Sequence, residues 1–228
     1  MLTQQNARSL FRTDDGSYTL MLEDGKEAYH STRGALQEAL YVYVQAGFCH
    51  YLAQGIHNKT LPIRIFEMGF GTGLNAWVTQ QKAEEQQVQV HYTALEKYPL
   101  SPKEAGSLPY SRQASFLQLH QAPWESSHRL SPCFSLHKQQ GDLRDYLPPS
   151  ETDIIYFDAF SPERQPDLWT CTIFARMFQA LRPGGCLLTY SSKGLVKEAL
   201  RSAGFTIERI PGAGGKRHMI RAHKPEIY

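Results

Sequence analysis

The feature that most constrains the fold of this 228-residue chain is a regular alternation that begins at residue 61 and continues almost to the C-terminus. Short apolar runs typical of buried strands alternate with longer stretches in which apolar residues recur at helical spacing. Strands that alternate with helices form a mainly parallel sheet with helices on both faces. The sequence therefore predicts a doubly wound, Rossmann-like α/β fold.

This alternation places five strands and three helices. Strands are predicted at residues 61–68, 88–95, 133–138, 153–159 and 186–191, and helices at residues 73–84, 168–181 and 194–203. Gly204 follows the last helix and is the residue type that adopts the left-handed conformation at a helix C-terminus.

The C-terminal end breaks the alternation. Residues 205–210 and 217–222 are both strand-like, and the glycine-rich segment between them leaves no room for a helix. Two strands joined in this way pair antiparallel. A parallel sheet that ends in an antiparallel hairpin is typical of methyltransferases that use S-adenosylmethionine, whereas dinucleotide-binding domains end in a parallel strand. This fold-level analogy favours a methyltransferase without identifying one.

The first 60 residues follow a different pattern. Asp-Gly turn signals at residues 15–16 and 24–25 flank a strand-like run at residues 18–22, which predicts a small hairpin. Residues 35–52 predict an amphipathic helix. Because about 60 residues rarely hold a core of their own, we expect residues 1–60 to cap the catalytic face of a domain formed by residues 61–228.

Composition narrows the class of protein. The 24 basic and 22 acidic residues give a formal charge of +2, which neither supports nor excludes a nucleic-acid partner. The N-terminus lacks the apolar core of a signal peptide, and no apolar run approaches the roughly 20 residues that span a bilayer. Four separated cysteines without CxxC spacing predict a reduced, cytoplasmic protein. The histidines show no ligand spacing, so no metal is expected.

The glycine-rich segment EMGFGTGLN, residues 67–75, lies where the first predicted strand meets a helix. Glycines there let the backbone approach a ligand closely, and the helix N-terminus offers unpaired N–H groups. Residues 71–76 also fit the dinucleotide pattern, so a nicotinamide-dependent oxidoreductase stays an alternative. Glu67 favours a cationic ligand, such as the sulfonium and ammonium of S-adenosylmethionine. The other interpretation is a packing loop without a ligand.

Two further acids follow the next two strands. Glu96 closes the second predicted strand, where a carboxylate can accept hydrogen bonds from both ribose hydroxyls of a nucleoside cofactor. Asp142 follows Gly141 after the third strand, where it can accept from an adenine amino group. The alternative interpretation is that Asp142 is a turn or helix-capping residue.

Asp158 ends the fourth predicted strand and is followed by Ala159, Phe160, Ser161 and Pro162. This position faces the crevice in which α/β proteins bind ligands. A carboxylate there can orient an amine and receive its proton during methyl transfer. Methyl transfer requires no protein nucleophile, so Ser161 is not assigned as one. We predict that Asp158 is the catalytic residue, with a strand-end cap as the alternative.

Cations in the final hairpin form a candidate nucleic-acid contact. Lys216 and Arg217 follow two glycines, where they can bind phosphate or simply form a solvated turn. Lys193 and Arg33 are weaker candidates for the same role.

Together these motifs resemble the methyltransferase domain of the MnmC/MnmD family, which acts in the modification of the tRNA wobble uridine. The resemblance extends from about residue 29 to residue 222. It rests on GALQE at residues 34–38, EMGFGTGLN at 67–75, DAFSPERQPDLW at 158–169, and GF at 204–205 followed by GKRHM at 215–219. The DAFSPERQPDLW block is the most specific of these, because its acid, Phe-x-Pro and Pro-Asp-x-Trp elements keep the family spacing.

The resemblance implies methyl transfer from S-adenosylmethionine to the exocyclic amine of 5-aminomethyl-uridine, often 2-thiolated, at the wobble position of tRNA. The partner is then the tRNA anticodon loop, whose unpaired bases can be splayed into a pocket. It also implies that Asp158 lies beside the accepting amine. The implied cofactor contacts are Glu67, Gly69, Phe70, Gly71, Thr72, Gly73, Asn75, Glu96, Lys97, Gly141, Asp142, Asp158, Ala159 and Phe160.

The chain departs from the family pattern in two ways. Bifunctional members carry an FAD-dependent oxidase domain, for which 228 residues leave no room. We therefore expect a stand-alone methyltransferase without FAD, whose aminomethyl substrate comes from a separate enzyme. The usual DGFAP reads DAFSP here, which keeps the acid and the ring. Other hypotheses are a methyltransferase for a protein or small-molecule amine, and a catalytically silent tRNA-binding module.

Overall fold

The computed structural model describes residues 8–55 and 60–226. The chain begins with an antiparallel hairpin of β1 (Arg8–Arg12) and β2 (Tyr18–Leu22). A continuous helical region follows, made of α1 (Ala35–Glu38), a π-helical segment (Ala39–Cys49) and α2 (His50–Ala53). The predicted hairpin and helix are thus both present, but the helix is wound mostly with π-type rather than α-type hydrogen bonds.

The other eight strands form one sheet in the order β5-β6-β4-β3-β7-β8-β10-β9. Five neighbouring strands, β6, β4, β3, β7 and β8, run parallel. The bounds are β3 (Ile63–Met68), β4 (Val90–Glu96), β5 (Ser127–Ser131), β6 (Phe134–Gln140), β7 (Thr152–Phe157), β8 (Leu181–Thr189), β9 (Thr206–Pro211) and β10 (His218–His223).

Helices cover both faces of this sheet. They are α3 (Leu74–Gln86), α4 (Pro102–Ser107), α5 (Ala114–Gln121), α6 (Cys171–Ala180) and α7 (Gly194–Ser202), with short 3₁₀ turns at Pro109–Arg112 and Pro166–Leu168. Among the described residues, no helix is both long and apolar enough to span a membrane.

Alternation along the strands divides the core in two. On β7, Ile154 and Tyr156 pack with the N-terminal helical region, α3 and α5, whereas Ile155 and Phe157 pack with α6 and α7. Successive side chains of a strand point to opposite faces, so a strand covered on both faces is apolar throughout. This explains why the sequence signal of β7 is a continuous apolar run.

The predicted C-terminal topology is confirmed. β9 pairs antiparallel with β10, and β10 pairs antiparallel with β8, so the parallel sheet ends in a hairpin. Gly204 has φ +102°, the left-handed conformation expected of it after α7. These features confirm a doubly wound α/β fold with an antiparallel end.

Three elements between β4 and β6 were not predicted: α4, α5 and the edge strand β5. The sequence of β5 is SHRLS, which contains a single apolar residue and so has no alternating pattern. β5 pairs with β6 alone and lies at the edge of the sheet, where polar residues are tolerated.

Candidate active site

A cavity of about 440 Å³ lies at the carboxyl ends of the parallel strands. This volume is within the roughly 300–1,000 Å³ of small-molecule and cofactor sites. Its walls come from the segments that follow β3, β4, β6 and β7, together with residues 26–32, Glu38, Tyr190 and Lys216. The strand ends that were predicted to carry site residues therefore meet around one cavity. The N-terminal region helps to enclose it.

The glycine-rich segment after β3 forms one wall of this cavity. Gly69 has φ +91°, and a Cβ on this residue would lie 2.6 Å from the carbonyl oxygen of Asp158. Gly71 has φ +51°, and its Cβ would lie 2.9 Å from the Tyr29 ring. Only glycine combines this backbone conformation with such close approach, so the loop brings β3, β7 and the N-terminal region together at the cavity.

Asp158 follows β7 and lines the cavity. Its Oδ1 accepts a hydrogen bond from the Tyr43 hydroxyl at 2.6 Å, and its Oδ2 accepts one from Asn75 Nδ2 at 2.8 Å. Burial and the nearby charge of Glu38 raise the pKa of Asp158 to about 7, although both hydrogen bonds oppose the shift. Asp158 is therefore a fixed carboxyl group that changes protonation state near neutral pH.

Glu67 lies near the end of β3 and is not among the residues that line the cavity. It is fully buried, and its Oε1 accepts a 2.9 Å hydrogen bond from Asn75 Nδ2, the same group that donates to Asp158. Burial, reinforced by the charge of Asp158, raises the pKa of Glu67 well above its usual value. The predicted attraction of Glu67 for a cationic ligand needs the ionised carboxylate, and burial disfavours that form. Cofactor contact by Glu67 stays a prediction, and in this structure Asn75 connects it to Asp158.

Glu96 and Asp142 both line the cavity, and both are engaged with neighbouring groups. Glu96 accepts hydrogen bonds from the backbone N–H groups of Gly71, at 2.9 Å, and Tyr98, at 2.8 Å. Asp142 is clamped by the Arg144 guanidinium and lies 2.9 Å from Lys97 Nζ, so its pKa is far below its usual value. Contact of Asp142 with an adenine amino group requires one of these cations to give way, and it stays a prediction.

The remaining predicted cofactor residues divide into two groups. Phe70, Lys97, Gly141, Ala159 and Phe160 line the cavity. Thr72 and Gly73 lie deeper, where Thr72 Oγ1 is 2.7 Å from His30 Nε2 and Gly73 has φ +75° before α3. These two residues support the loop, and their direct contact with a cofactor is untested.

The predicted tRNA-contacting cations occupy different surroundings. Lys216 lies in the cavity wall, where its Nζ is 2.8 Å from Glu38 Oε1 and 4.0 Å from the centre of the Tyr190 ring. Arg217 and Arg33 are exposed, and the Arg33 guanidinium lies against Gly215. Lys193 is exposed and pairs with Glu163. The structure thus separates Lys216 from the other three.

Several residues that line the cavity or contact Asp158 were missed as functional candidates. Glu38 was noted only within the GALQE block, and Tyr43, Tyr29, Tyr190 and Arg144 were given no role. Glu38 and Tyr43 are five residues apart on the helical region, which matches the i→i+5 hydrogen bonding of a π-helix better than the α-helical repeat. A search at helical spacing of 3.6 residues therefore had no signal for them. In the part of the chain that the structure describes, no group of three or more His, Cys, Asp or Glu side chains is arranged to hold a metal.

A doubly wound sheet with a cavity ringed by acids at the ends of successive strands defines an α/β protein suited to bind a nucleoside cofactor. Comparison with known proteins identifies the family. Residues 85–225 match the model of the S-adenosyl-L-methionine-dependent methyltransferase family, and the chain belongs to that family. Its cofactor is S-adenosylmethionine, as predicted, and the alternative of a nicotinamide-dependent oxidoreductase is wrong.

Curated relatives carry a more specific name. The chain is 32% identical over 212 residues to the tRNA 5-methylaminomethyl-2-thiouridine biosynthesis bifunctional protein MnmC of Azoarcus sp., covering 86% of this chain and 32% of that protein. It is 30% identical over 243 residues to the Legionella pneumophila protein of the same name, covering 94% and 36%. The chain thus spans about a third of the length of the curated relatives it matches.

Solved structures agree with the resemblance. MnmC2 from Aquifex aeolicus superposes with a TM-score of 0.76 at 27% identity, covering 99% of this chain and 74% of that one. A probable spermidine synthase from Corynebacterium glutamicum superposes with a TM-score of 0.54 at 15% identity, covering 99% and 79%. The second likeness shows the fold alone. The predicted resemblance to the MnmC/MnmD methyltransferase domain is confirmed.

The residues present fit S-adenosylmethionine. Gly69, Gly71, Glu96 and Asp158 all line the cavity. Ribose hydroxyls call for a carboxylate acceptor and a sulfonium calls for negative charge nearby, and the cavity wall carries carboxyl groups that can serve both needs. The cavity volume also lies in the range of cofactor sites.

Proposed function

We propose that this protein methylates the exocyclic amine of 5-aminomethyl-(2-thio)uridine at the wobble position of tRNA. The product is the 5-methylaminomethyl nucleoside. The observation that carries the proposal is the setting of Asp158: a cavity carboxyl group with a pKa of about 7, held by Tyr43 and Asn75. The names of the curated relatives support the choice of tRNA as the substrate.

Asp158 is the group that removes a proton from the amine substrate. A primary alkyl amine is mostly an ammonium at neutral pH and cannot attack until it loses a proton. The ionised Asp158 can accept that proton, and Tyr43 and Asn75 hold its two oxygens in fixed directions. When bound, S-adenosylmethionine would supply the methyl group: the N–C bond would form as the S–C bond breaks, with the electron pair left on sulfur. Positioning in a site shielded from water supplies most of the acceleration.

The remaining cavity residues hold the two reactants. Glu96 and Asp142 are proposed to contact the nucleoside part of the cofactor, together with the Gly69 to Gly73 loop. Tyr29 and Phe160 lie edge to face with ring centres 5.1 Å apart, and they offer an aromatic wall for a splayed base. We propose that Arg33 and Arg217 contact the phosphates of the anticodon loop. The protein then acts in the cytoplasm, with the aminomethyl group supplied by a separate enzyme.

The decisive experiment measures transfer from labelled S-adenosylmethionine by the purified protein to two tRNA preparations. One carries the aminomethyl wobble uridine and the other, otherwise identical, carries unmodified uridine at that position. We expect label only in the first, with nucleoside mass spectrometry identifying the methylaminomethyl product. Failure to label the first tRNA, or label on a protein or small-molecule amine instead, would overturn the proposed substrate.

A further inference from the structure

Two side chains that the proposed mechanism does not use meet at the cavity, and each comes from a segment that carries the family resemblance. GALQE ends in Glu38 and GKRHM begins one residue before Lys216, and these two side chains form an ion pair across 178 residues of sequence. Glu38 is buried with its other oxygen, Oε2, accepting from the Ser31 N–H at 2.7 Å. The Glu38 side chain is 5% exposed and the Lys216 side chain 38%, so the pair joins a buried carboxylate to a partly exposed cation at the cavity wall.

The pair lies beside Asp158. Glu38, Lys216 and Asp158 all line the same cavity, and Lys216 Nζ also lies over the Tyr190 ring. The Glu38 charge favours the protonated form of Asp158, whereas the Lys216 charge favours its ionised form. The two partners therefore act on Asp158 in opposite directions, and the effect of Glu38 is the larger of the two.

We propose that Glu38 and Lys216 are positioning residues that set the protonation of Asp158, and that Lys216 serves this role rather than tRNA phosphate binding. The inference rests on the proposed function only in taking Asp158 as the proton acceptor. It assigns a purpose to both segments and explains why Lys216 is held in the cavity wall while Arg217 is exposed.

Other hydrogen-bonding and titratable groups also surround Asp158. Tyr43 and Asn75 are bound to its oxygens, and both hydrogen bonds favour the ionised form. Burial lowers the pKa of His30 to about 4, so this residue is neutral at physiological pH. Further titratable groups that face Asp158 or its partners are Glu67, Tyr92, Glu96 and Tyr190. Of the groups that act on Asp158, Glu38 and Lys216 carry opposite formal charges and can be neutralised separately.

The test compares Glu38→Gln, Lys216→Met and the double variant by the carboxyl ¹³C NMR titration of Asp158. The Asp158 resonance is assigned by its loss in Asp158→Asn. We expect a lower titration midpoint in Glu38→Gln and a higher one in Lys216→Met. Because the Glu38 effect is the larger, the midpoint of the double variant should lie below the original but above that of Glu38→Gln. The pH midpoint of kcat/KM for methyl transfer should move in the same directions. Relative activity at pH 6 should change by about threefold or more as a result.

Lys82→Met and Glu85→Gln are the matched controls, because Lys82 and Glu85 form an exposed 2.9 Å ion pair on α3. Neither control should move either midpoint. An Asp158 midpoint that is the same in all variants would overturn the inference. So would a Lys216→Met variant with an unchanged midpoint but weaker, less salt-dependent tRNA binding, which would return Lys216 to phosphate contact. The titration needs no substrate, so its result stands even if tRNA is not the acceptor.

Discussion

At the scale of single residues, the chemistry depends on one amide group shared by two acids. Asn75 Nδ2 donates to Glu67 at 2.9 Å and to Asp158 at 2.8 Å. Two buried carboxylates this close do not both ionise readily, and Asp158 also has the Tyr43 hydroxyl on its other oxygen. Asp158 is therefore the acid of the pair that ionises first, while Glu67 stays neutral.

Replacing Asp158 by Asn should separate chemistry from cofactor binding. Asn keeps the size of the side chain and can still accept from the Tyr43 hydroxyl, but it cannot take a proton. We expect kcat to fall by about 10²–10⁴-fold, the usual contribution of a general base. S-adenosylmethionine affinity, measured by calorimetry, should change far less. A variant that retains full kcat would remove Asp158 from the mechanism.

The pH dependence of activity should follow from the same group. Asp158 accepts a proton only when ionised, and its pKa is raised to about 7. Activity should therefore be lost as pH falls through about 7, rather than through the range near 4 of an ordinary aspartate. The measurement is kcat/KM between pH 5 and pH 9, which reports on the free enzyme. A profile that stays flat down to pH 5 would contradict the assignment.

At the scale of elements, the site depends on how closely β3 approaches β7. Gly69 ends β3 against the Asp158 carbonyl, and the backbone there is left-handed. The N-terminal helical region then packs against β7 and β8, so that Tyr43 reaches Asp158 from the opposite side. The position of the Asp158 carboxyl group is thus fixed by three elements that are distant in sequence.

Gly69→Ala should expose this constraint. A Cβ would lie 2.6 Å from the Asp158 carbonyl oxygen in a backbone conformation that costs a non-glycine residue about 1–3 kcal/mol. We expect a loss of at least that much in unfolding free energy, measured by urea titration, together with loss of activity. Gly106→Ala is the control. Gly106 lies in α4 with open space around its Cα, and the change should stabilise the protein by about 0.5–1 kcal/mol. Equal effects of both changes would refute the explanation.

At the scale of the whole molecule, the C-terminal hairpin contributes Lys216 to the cavity wall and leaves the next residue, Arg217, exposed. Arg33 lies against Gly215, so the hairpin turn and the segment before α1 form one surface. The formal charge of +2 is too small to hold tRNA by net attraction. The proposed tRNA binding therefore depends on where the cations lie, and this surface is the proposed location.

Arg33→Ala and Arg217→Ala test that location. Each lost phosphate contact should weaken tRNA binding and reduce the slope of log affinity against log salt concentration by about 1. The measurement is tRNA affinity from 50 to 300 mM salt, with Lys82→Ala, which removes an exposed cation from α3, as the control. Slopes that match the unaltered protein would place the tRNA contact elsewhere.

The five parallel strands, the helices α3, α6 and α7, the closing hairpin and the acids at successive strand ends were predictable from the sequence, whereas α4, α5 and β5 were not. Hydrophobic periodicity is a local property, and a parallel sheet necessarily brings the carboxyl ends of its strands to one edge. Asp158, Glu96 and the glycine loop follow from that rule, because each comes directly after a strand. The polar edge strand β5 escaped prediction because pairing with β6, rather than its own sequence pattern, makes it a strand.

Only the tertiary structure decided what those acids do. Tyr43 bonds to Asp158 across 115 residues, and Glu38 pairs with Lys216 across 178 residues. The burial of Glu67 and the clamping of Asp142 by Arg144 are likewise invisible to periodicity. Protonation and hydrogen-bond partnership depend on which groups the fold brings within a few ångströms and away from water. Residue order fixed where the carboxyl groups lie, and three-dimensional packing fixed their charge.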